Sequence, residues 1–344
     1  MRKNVLKVAS IYIGTLIGAG FASGQEVVYF FTRNGMNGLY GVILTSILFS
    51  LFGSFVLLQV HKYKITSYHD FVISFFGKFV GKGIEWFLSL LLLSFYCVML
   101  AGSGALFEEY FGYSKEIGIL FMSMICFFTF IFSMNGLALV NSVIVPLMMI
   151  GIICIGIFTA KESNGFINIF YEGYEGGGNW ITSSLLYVSY NMISAAVVLS
   201  AMYPLLSHKK VALGGGILGG ALLGCMLLFL FLPTYLCYTQ IKDAQIPMMA
   251  IASLVSTKAK SMYGILLWGA MLTTAIANGF VLIQTLEQKI RIKHIFVCIL
   301  FCIITIPLSQ FGFKRLVHTL YPFFGYMGFF ILFIALSKKI GHKI

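Results

Sequence analysis

Apolar runs of about twenty residues, separated by short polar clusters, recur along the whole chain. They fall at roughly 5–32, 38–60, 84–107, 117–134, 137–160, 180–206, 211–238, 262–286, 294–311 and 316–337. A helix needs about 20 apolar residues to cross the ~30 Å hydrocarbon core of a bilayer. The pattern therefore predicts an all-α polytopic membrane protein with ten spans. The exception to the regular pattern is the first run, which reads Ile13-Gly14-Thr15-Leu16-Ile17-Gly18-Ala19-Gly20-Phe21-Ala22-Ser23-Gly24-Gln25-Glu26. Each Gly weakens a helix by ~1 kcal/mol relative to Ala. A carboxylate at bilayer depth costs at least ~2.5–3.5 kcal/mol, which makes Glu26 a functional candidate by default. Span 1 is expected to break in the middle, beside a cavity or inside protein, because irregular backbone is not tolerated against lipid.

The spans also repeat. Spans 1 and 2 are followed by a long connection (61–83) and span 3. Spans 6 and 7 are followed by a long connection (239–261) and span 8, at an offset of about 175 residues. Each connection holds a short apolar stretch, 68–76 and 247–255, expected to form an interfacial helix. Five spans followed by five that start on the opposite side make an inverted repeat. The chain is then one transmembrane domain, 1–344, divided into repeats at 1–160 and 175–337. By symmetry, span 6 is expected to break as well, at the polar cluster Tyr187-Val188-Ser189-Tyr190-Asn191-Met192-Ile193-Ser194.

Composition supports the membrane reading: 59% of residues are hydrophobic and 10% are charged, against about 25% charged in soluble domains. Charge placement sets the orientation. With the N-terminus inside, the inner segments carry 15 of the 23 basic residues and the outer segments 8. Basic residues favour the cytoplasmic side, so both termini are expected there. The net charge of +12 then faces anionic headgroups of the lipid bilayer, and nucleic acid is not an expected partner. Arg2, Lys3 and Lys7 before an apolar run imitate a signal peptide. The apolar pattern resumes at Val27-Val28-Tyr29-Phe30-Phe31, so the segment is read as the first span. The seven Cys all lie in apolar runs and are expected to pack as small hydrophobes, Cys298 and Cys302 included. Gly214 to Gly224 presents small-residue faces, expected to serve close packing within the molecule. Gly176-Gly177-Gly178 is read as an outer turn, and Asn179 as the N-cap of span 6. Tyr203-Pro204 is read as the inner end or a kink of that span.

The run Gly18-Ala19-Gly20-Phe21-Ala22-Ser23-Gly24-Gln25-Glu26 resembles bacterial YkvI-type membrane proteins. The five-plus-five plan is similar to the LeuT fold of the amino acid–polyamine–organocation superfamily. That resemblance implies a secondary transporter of a small organic solute, a zwitterionic amino acid or a related amine. It also implies that span 1 unwinds so that amides of Gly18, Ala19 and Gly20 meet a substrate carboxylate. Phe21 and Ser23 belong to the same half-helix. Tyr187, Tyr190 and Asn191 would shape the opposite wall, and Tyr96 would cover the substrate. Asn278 lies in span 8, which flanks the same site. In sodium-driven members of the fold a cation sits between carbonyls of span 1 and hydroxyls of span 8. The matching positions here are Gly14, Ile17, Ala270, Thr273 and Thr274, which makes Na⁺ the expected coupling ion and leaves no other cofactor. Thr273 and Thr274 could instead bond back to their own helix. Span 5 has no Lys, Arg or His, which lowers a proton reading at that position. Glu26 keeps three roles open: binding a substrate amine, carrying protons, or bridging neighbours.

The spacing G-x-G-x-x-x-G at Gly18, Gly20 and Gly24 lacks the βαβ context of a dinucleotide site. No H-E-x-x-H and no Ser/His/Asp constellation falls in the spans, so the chain is not expected to be an enzyme. A channel is disfavoured because no repeated filter loop is present. A membrane sensor using the same pocket remains the rival reading. The sequence does not fix the oligomeric state.

Overall fold

The computed structural model describes residues 2–132, 137–161, 179–289 and 293–337. The Gly176-Gly177-Gly178 turn, Glu162, Glu172, Glu175, Arg291, Lys338, Lys339 and Lys343 lie outside them. The described residues form α-helices joined by short turns, with no strand among them. In chain order these are α1 (Arg2–Leu16), α2 (Ala19–Ser23), α3 (Gln25–Phe30), α4 (Asn37–Tyr63), α5 (Tyr68–Leu106), α6 (Lys115–Phe132) and α7 (Leu137–Lys161). They continue as α8 (Trp180–Ser200), α9 (Lys209–Leu236), α10 (Tyr238–Ile241), α11 (Pro247–Val255), α12 (Thr257–Lys289), α13 (His294–Ser309) and α14 (Phe313–Ser337). Among the described residues, 7 helices are long and apolar enough to cross a membrane. Their outward faces carry exposed large apolar side chains such as Leu51, Phe79, Trp86, Ile265, Phe330 and Phe333. In water such a surface would be a large aggregation patch; against lipid tails it is ordinary.

The first span is discontinuous. α1 stops at Leu16, and Gly18 is extended (φ −108°, ψ −173°). Its N–H turns back to Leu16 O at 3.0 Å instead of continuing the helical ladder to Gly14. A second bend follows at Gly24, whose φ of 78° lies in the left-handed region that favours glycine. Ser23 fixes this bend. Its Oγ donates to Gly20 O at 2.7 Å and accepts from Gln25 N at 3.2 Å. A side chain at Gly24 would also strike Met248 on α11.

The expected break in span 6 is absent. α8 runs unbroken from Trp180 to Ser200 through the whole polar cluster. The reason is local: Ser189 Oγ donates to Leu185 O at 2.6 Å and Asn191 Nδ2 to Tyr187 O at 2.9 Å. These groups are satisfied one turn back along their own helix, so they place no demand on neighbouring backbone. The helix starts as expected, with Asn179 Oδ1 accepting from Ile181 N at 2.9 Å. It ends at Ser200, ahead of a short 3₁₀ turn at Tyr203–Leu205.

The two long connections behave differently. In the first, 68–76 is one arm of α5, which bends at Gly77 (φ 76°, ψ 171°). His69 Nδ1 on this arm meets Glu85 Oε1 on the other at 2.6 Å. In the second, α11 buries Pro247, Met248, Met249, Ile251 and Ala252, packing on α12, α7, α9 and the broken first span. Its apolar face is turned to protein, where the sequence pattern suggested a membrane interface.

A small-residue seam joins α4 to α9. Gly216, Gly220 and Gly224 face Ser54, Ser50 and Ser46, with a one-turn spacing on each side. The serine hydroxyls donate across it, Ser54 to Leu213 O (3.3 Å), Ser50 to Ile217 O (3.2 Å) and Ser46 to Gly220 O (3.4 Å). Removing side chains from one helix lets the backbones approach closely enough for these bonds. On the next face of α9, Gly215 receives Val8 and Gly219 receives Tyr12 of α1. The glycine faces thus serve packing within the molecule.

Candidate functional site

The interruption between α1 and α2 releases main-chain groups in a buried place. Among the described residues, the N–H groups of Ala19, Gly20 and Phe21 and the carbonyls of Gly14 and Ile17 have no main-chain partner. Ala19, Gly20, Phe21 and Ile17 are buried, while Gly14 is exposed and Gly18 partly so. Orphaned backbone groups of this kind are normally satisfied by side chains, water or a ligand.

Glu26 closes over this interruption. It is 5% exposed, and α3 turns its side chain back onto Gly20. A Cβ on Gly20 would overlap Glu26 Oε1 and stand 3.1 Å from Tyr321 Oη. Tyr190 Oη donates to Glu26 Oε2 at 2.5 Å. Among the described residues no basic side chain pairs with this carboxylate. Aromatic rings surround it. Tyr190 has Tyr321 at 5.0 Å, Tyr187 at 5.6 Å, Phe30 at 5.9 Å and Phe95 at 6.4 Å, ring centre to ring centre. The site is therefore assembled from α2, α3, α5, α8 and α14. It presents one negative group inside an aromatic wall.

The other sequence-derived positions divide into those drawn to this cluster and those held elsewhere. Tyr187 belongs to it, packed on Phe30 at 5.4 Å and Phe31 at 5.0 Å. Asn191 and Ser23 spend their hydrogen bonds on neighbouring backbone. Tyr96 points the other way: it is fully buried, and its ring lies 4.7 Å from Phe301 on α13. Its neighbour Phe95 faces the cluster instead, 5.4 Å from Tyr321. Asn278 keeps a buried Nδ2 that makes no hydrogen bond among the described residues. Sequence reading missed Phe95, Tyr321 and Phe30. Tyr321 lies on the last span, and its sequence signal is a tyrosine before Pro322, where the polar start of that helix gives way to an apolar run.

The candidate cation positions are only partly brought together. Thr274 Oγ1 lies 3.7 Å from where a Cβ on Gly18 would stand. The helix interruption and α12 therefore touch at this hydroxyl, which makes no hydrogen bond among the described residues. Thr273 Oγ1 donates to Ala270 O at 3.1 Å, back along its own helix.

Towards the end of the bundle opposite the N-terminus, a cavity of about 560 Å³ opens between α5, α6 and the start of α14. Glu108, Lys115, Gln245, Gln310, Lys314, Arg315 and His318 line it. His318 Nε2 lies 2.8 Å from Gln25 Nε2, so a residue lining the cavity touches the chain neighbour of Glu26.

Known proteins share both the fold and the sequence. The chain is similar to a structure of Mhp1 in its inward-facing conformation, with a TM-score of 0.63 and 12% identity, over 94% of this chain and 73% of that one. It is similar to a manganese transporter of Eremococcus coleocola, with a TM-score of 0.62 and 11% identity, over 96% of this chain and 77% of that one. These neighbours are LeuT-fold transporters, and at such identities the likeness is one of fold. No protein-family model matches the chain. Among curated proteins it is 24% identical to YyaD of Bacillus subtilis over 342 residues, 98% of each chain. It is 30% identical to the uncharacterized membrane protein YkvI of the same organism over 338 residues, 97% of this chain and 95% of the relative. With its glycine-broken first helix and buried carboxylate carried on a LeuT-type fold, the chain belongs to the family of the membrane protein YkvI.

Proposed function

We propose that this protein is a secondary active transporter of a small organic solute of the amino acid or amine class, working by alternating access and coupled to Na⁺. One observation carries the reading. The first helix is interrupted at Leu16–Gly18, which frees main-chain amides and carbonyls, and a buried carboxylate lies against Gly20 just past the break, in a molecule with helices long and apolar enough to cross a bilayer. Irregular backbone at membrane depth is kept where it lines a pathway or a site. The finer architecture follows the same reading: ten spans in a single domain, arranged as two inverted units over 1–160 and 175–337, with the first helix discontinuous and α8 unbroken. The α4–α9 seam supports it by pairing the second span of each unit. The bent α5 and the α11–α12 pair support it by occupying matching places.

Na⁺ coupling is supported by the freed carbonyls of Gly14 and Ile17 and by the unengaged hydroxyl of Thr274 beside Gly18. A specific observation favours a second reading, proton coupling: Glu26 is buried without a cationic partner among the described residues. Manganese, named for the Eremococcus protein, draws no support here, since among the described residues no group of three or more His, Cys, Asp or Glu side chains converges.

The test is counterflow of radiolabelled amino acids and amines in proteoliposomes, with Na⁺ or pH gradients imposed in turn. Exchange of a bound solute is the expected result. Tight binding without exchange would assign the same pocket to a sensor.

A further inference from the structure

The chain's own carboxylate stands on the side-chain side of Gly20, next to the turn that carries the freed amides. Glu26 Oε1 lies against Gly20 closely enough that a single added carbon there would overlap it. A substrate carboxylate brought to those amides would approach this buried group and face a like charge with little water between them. Like charges in such a setting repel strongly because little solvent screens them. The side of the site facing Glu26 is suited to the opposite ligand. Glu26 Oε2 takes one hydrogen bond from Tyr190, while Oε1 has no donor among the described residues. Tyr321 Oη, on a side chain 2% exposed, also makes no hydrogen bond among the described residues, and it lies on the same side of Gly20 as Oε1. Two acceptor oxygens on buried side chains are therefore unengaged around one point. The rings of Tyr190, Tyr321 and Phe95 stand next to them, with centroids 5.0–6.4 Å apart. Aromatic faces attract cations, and more strongly where water is excluded.

The geometry points to a small protonated amine that lacks a carboxylate as the solute, with its N–H groups donating to Glu26 Oε1 and Tyr321 Oη inside the Tyr190–Tyr321–Phe95 wall. A quaternary ammonium fits less well, because it has no N–H to give to the two acceptors. This inference rests on the transporter reading for its biological meaning, but it concerns only which ligand the site binds.

The experiment compares each amino acid with the amine left when its carboxyl is removed: leucine with isoamylamine, serine with ethanolamine, tyrosine with tyramine, lysine with cadaverine. Binding to the full chain in nanodiscs is read by thermal shift and by equilibrium dialysis. At least one amine is expected to bind ten times more tightly than its parent amino acid, and Glu26→Gln to weaken that amine at least tenfold. Tyr321→Phe, which keeps the ring, should weaken it about threefold and serves where Glu26→Gln fails to fold. Parent amino acids binding as tightly as their amines overturn the proposal, as does unchanged amine affinity in Glu26→Gln, or in Tyr321→Phe where that variant stands in. Failure of all four amines to bind also overturns it. Counterflow run in parallel separates the two ideas. An amine that binds but does not exchange supports the ligand assignment and removes the transporter. An amino acid that exchanges without competition from its amine does the reverse.

Discussion

Tyr190 and Glu26 lie 164 residues apart in the chain and meet through a 2.5 Å hydrogen bond, the hydroxyl donating to the carboxylate. The bond ties the broken first helix to the unbroken α8. Removing the donor with Tyr190→Phe leaves a buried carboxylate without the side-chain donor it has among the described residues, which costs about 1–3 kcal/mol. Tyr190→Phe is expected to lower the unfolding temperature, and Glu26→Gln in the same chain to recover part of the loss. A double-mutant cycle should give a coupling of about 1 kcal/mol or more. Additive losses would mean that the two groups do not support each other.

Two glycines of the first span should respond in opposite ways. At Gly14 an added methyl meets nothing within 4 Å, and the residue lies inside α1, so Gly14→Ala should stabilise by up to ~1 kcal/mol. Because its proposed contribution is a main-chain carbonyl, solute binding should survive. At Gly20 the same methyl strikes Glu26 Oε1, so Gly20→Ala should displace the carboxylate and abolish binding. Thermal shift with and without ligand checks both. Retained binding in Gly20→Ala would remove Glu26 from the site.

The α4–α9 seam makes a finer distinction. A Cβ on Gly220 would collide with the backbone N and Cα of Ser50, whereas one on Gly224 would collide chiefly with the Cβ and Oγ of Ser46. Both alanine variants overpack the seam and should lose about 1–3 kcal/mol. Only the second collision is with a removable side chain. Ser46→Gly should therefore rescue Gly224→Ala, while Ser50→Gly should leave Gly220→Ala destabilised. Equal rescue of both, measured by unfolding temperature and by yield of monodisperse protein, would contradict this packing.

Orientation can be tested without a ligand. The excess of basic residues on the segments adjoining the termini predicts both termini in the cytoplasm. A fluorescent protein fused to either terminus should fluoresce, and alkaline phosphatase inserted at Asp243, on the opposite side, should be active. The reversed pattern at either terminus would invert the assignment.

The legible features were those written into local sequence. Glycines clustered with polar residues announced the interruption near Gly18, and two apolar stretches in long polar connections announced two helical segments, the 68–76 arm of α5 and α11, but neither the bend at Gly77 nor the burial of α11 against protein. The polar run in α8 misled because Ser189 and Asn191 can satisfy themselves against their own helix, which composition does not reveal. Phe95 and Tyr96 are neighbours about 100° apart around α5. Which of them faces Glu26 depends on helix rotation, set by packing of Tyr96 against Phe301 on a distant helix. Tyr321 was silent for the same reason: a tyrosine near the chain's end gains meaning only when α14 folds back onto Gly20.

Sodium dependence should rest on Thr274 more than on its neighbour. Thr274 Oγ1 is unengaged among the described residues and lies beside Gly18, so it is free to offer an oxygen to a cation next to the carbonyls of Gly14 and Ile17. Thr273 Oγ1 already donates to Ala270 O at 3.1 Å and can offer only a remaining lone pair. Na⁺ has no directional covalent demand and is satisfied by neutral hard oxygens, so each lost hydroxyl should weaken the ion without disturbing the helix. Thr274→Ala is expected to raise the Na⁺ concentration needed for half-maximal ligand binding about tenfold, equivalent to ~1.4 kcal/mol. Thr274→Ser, which keeps the hydroxyl, should restore it, and Thr273→Ala should shift it much less. A Na⁺ titration of ligand-induced thermal stabilisation, with K⁺ holding ionic strength constant, provides the measurement. If the combined Thr273→Ala and Thr274→Ala variant keeps the parent's Na⁺ dependence, sodium does not bind between α1 and α12, and the buried carboxylate of Glu26 becomes the group to test for proton coupling.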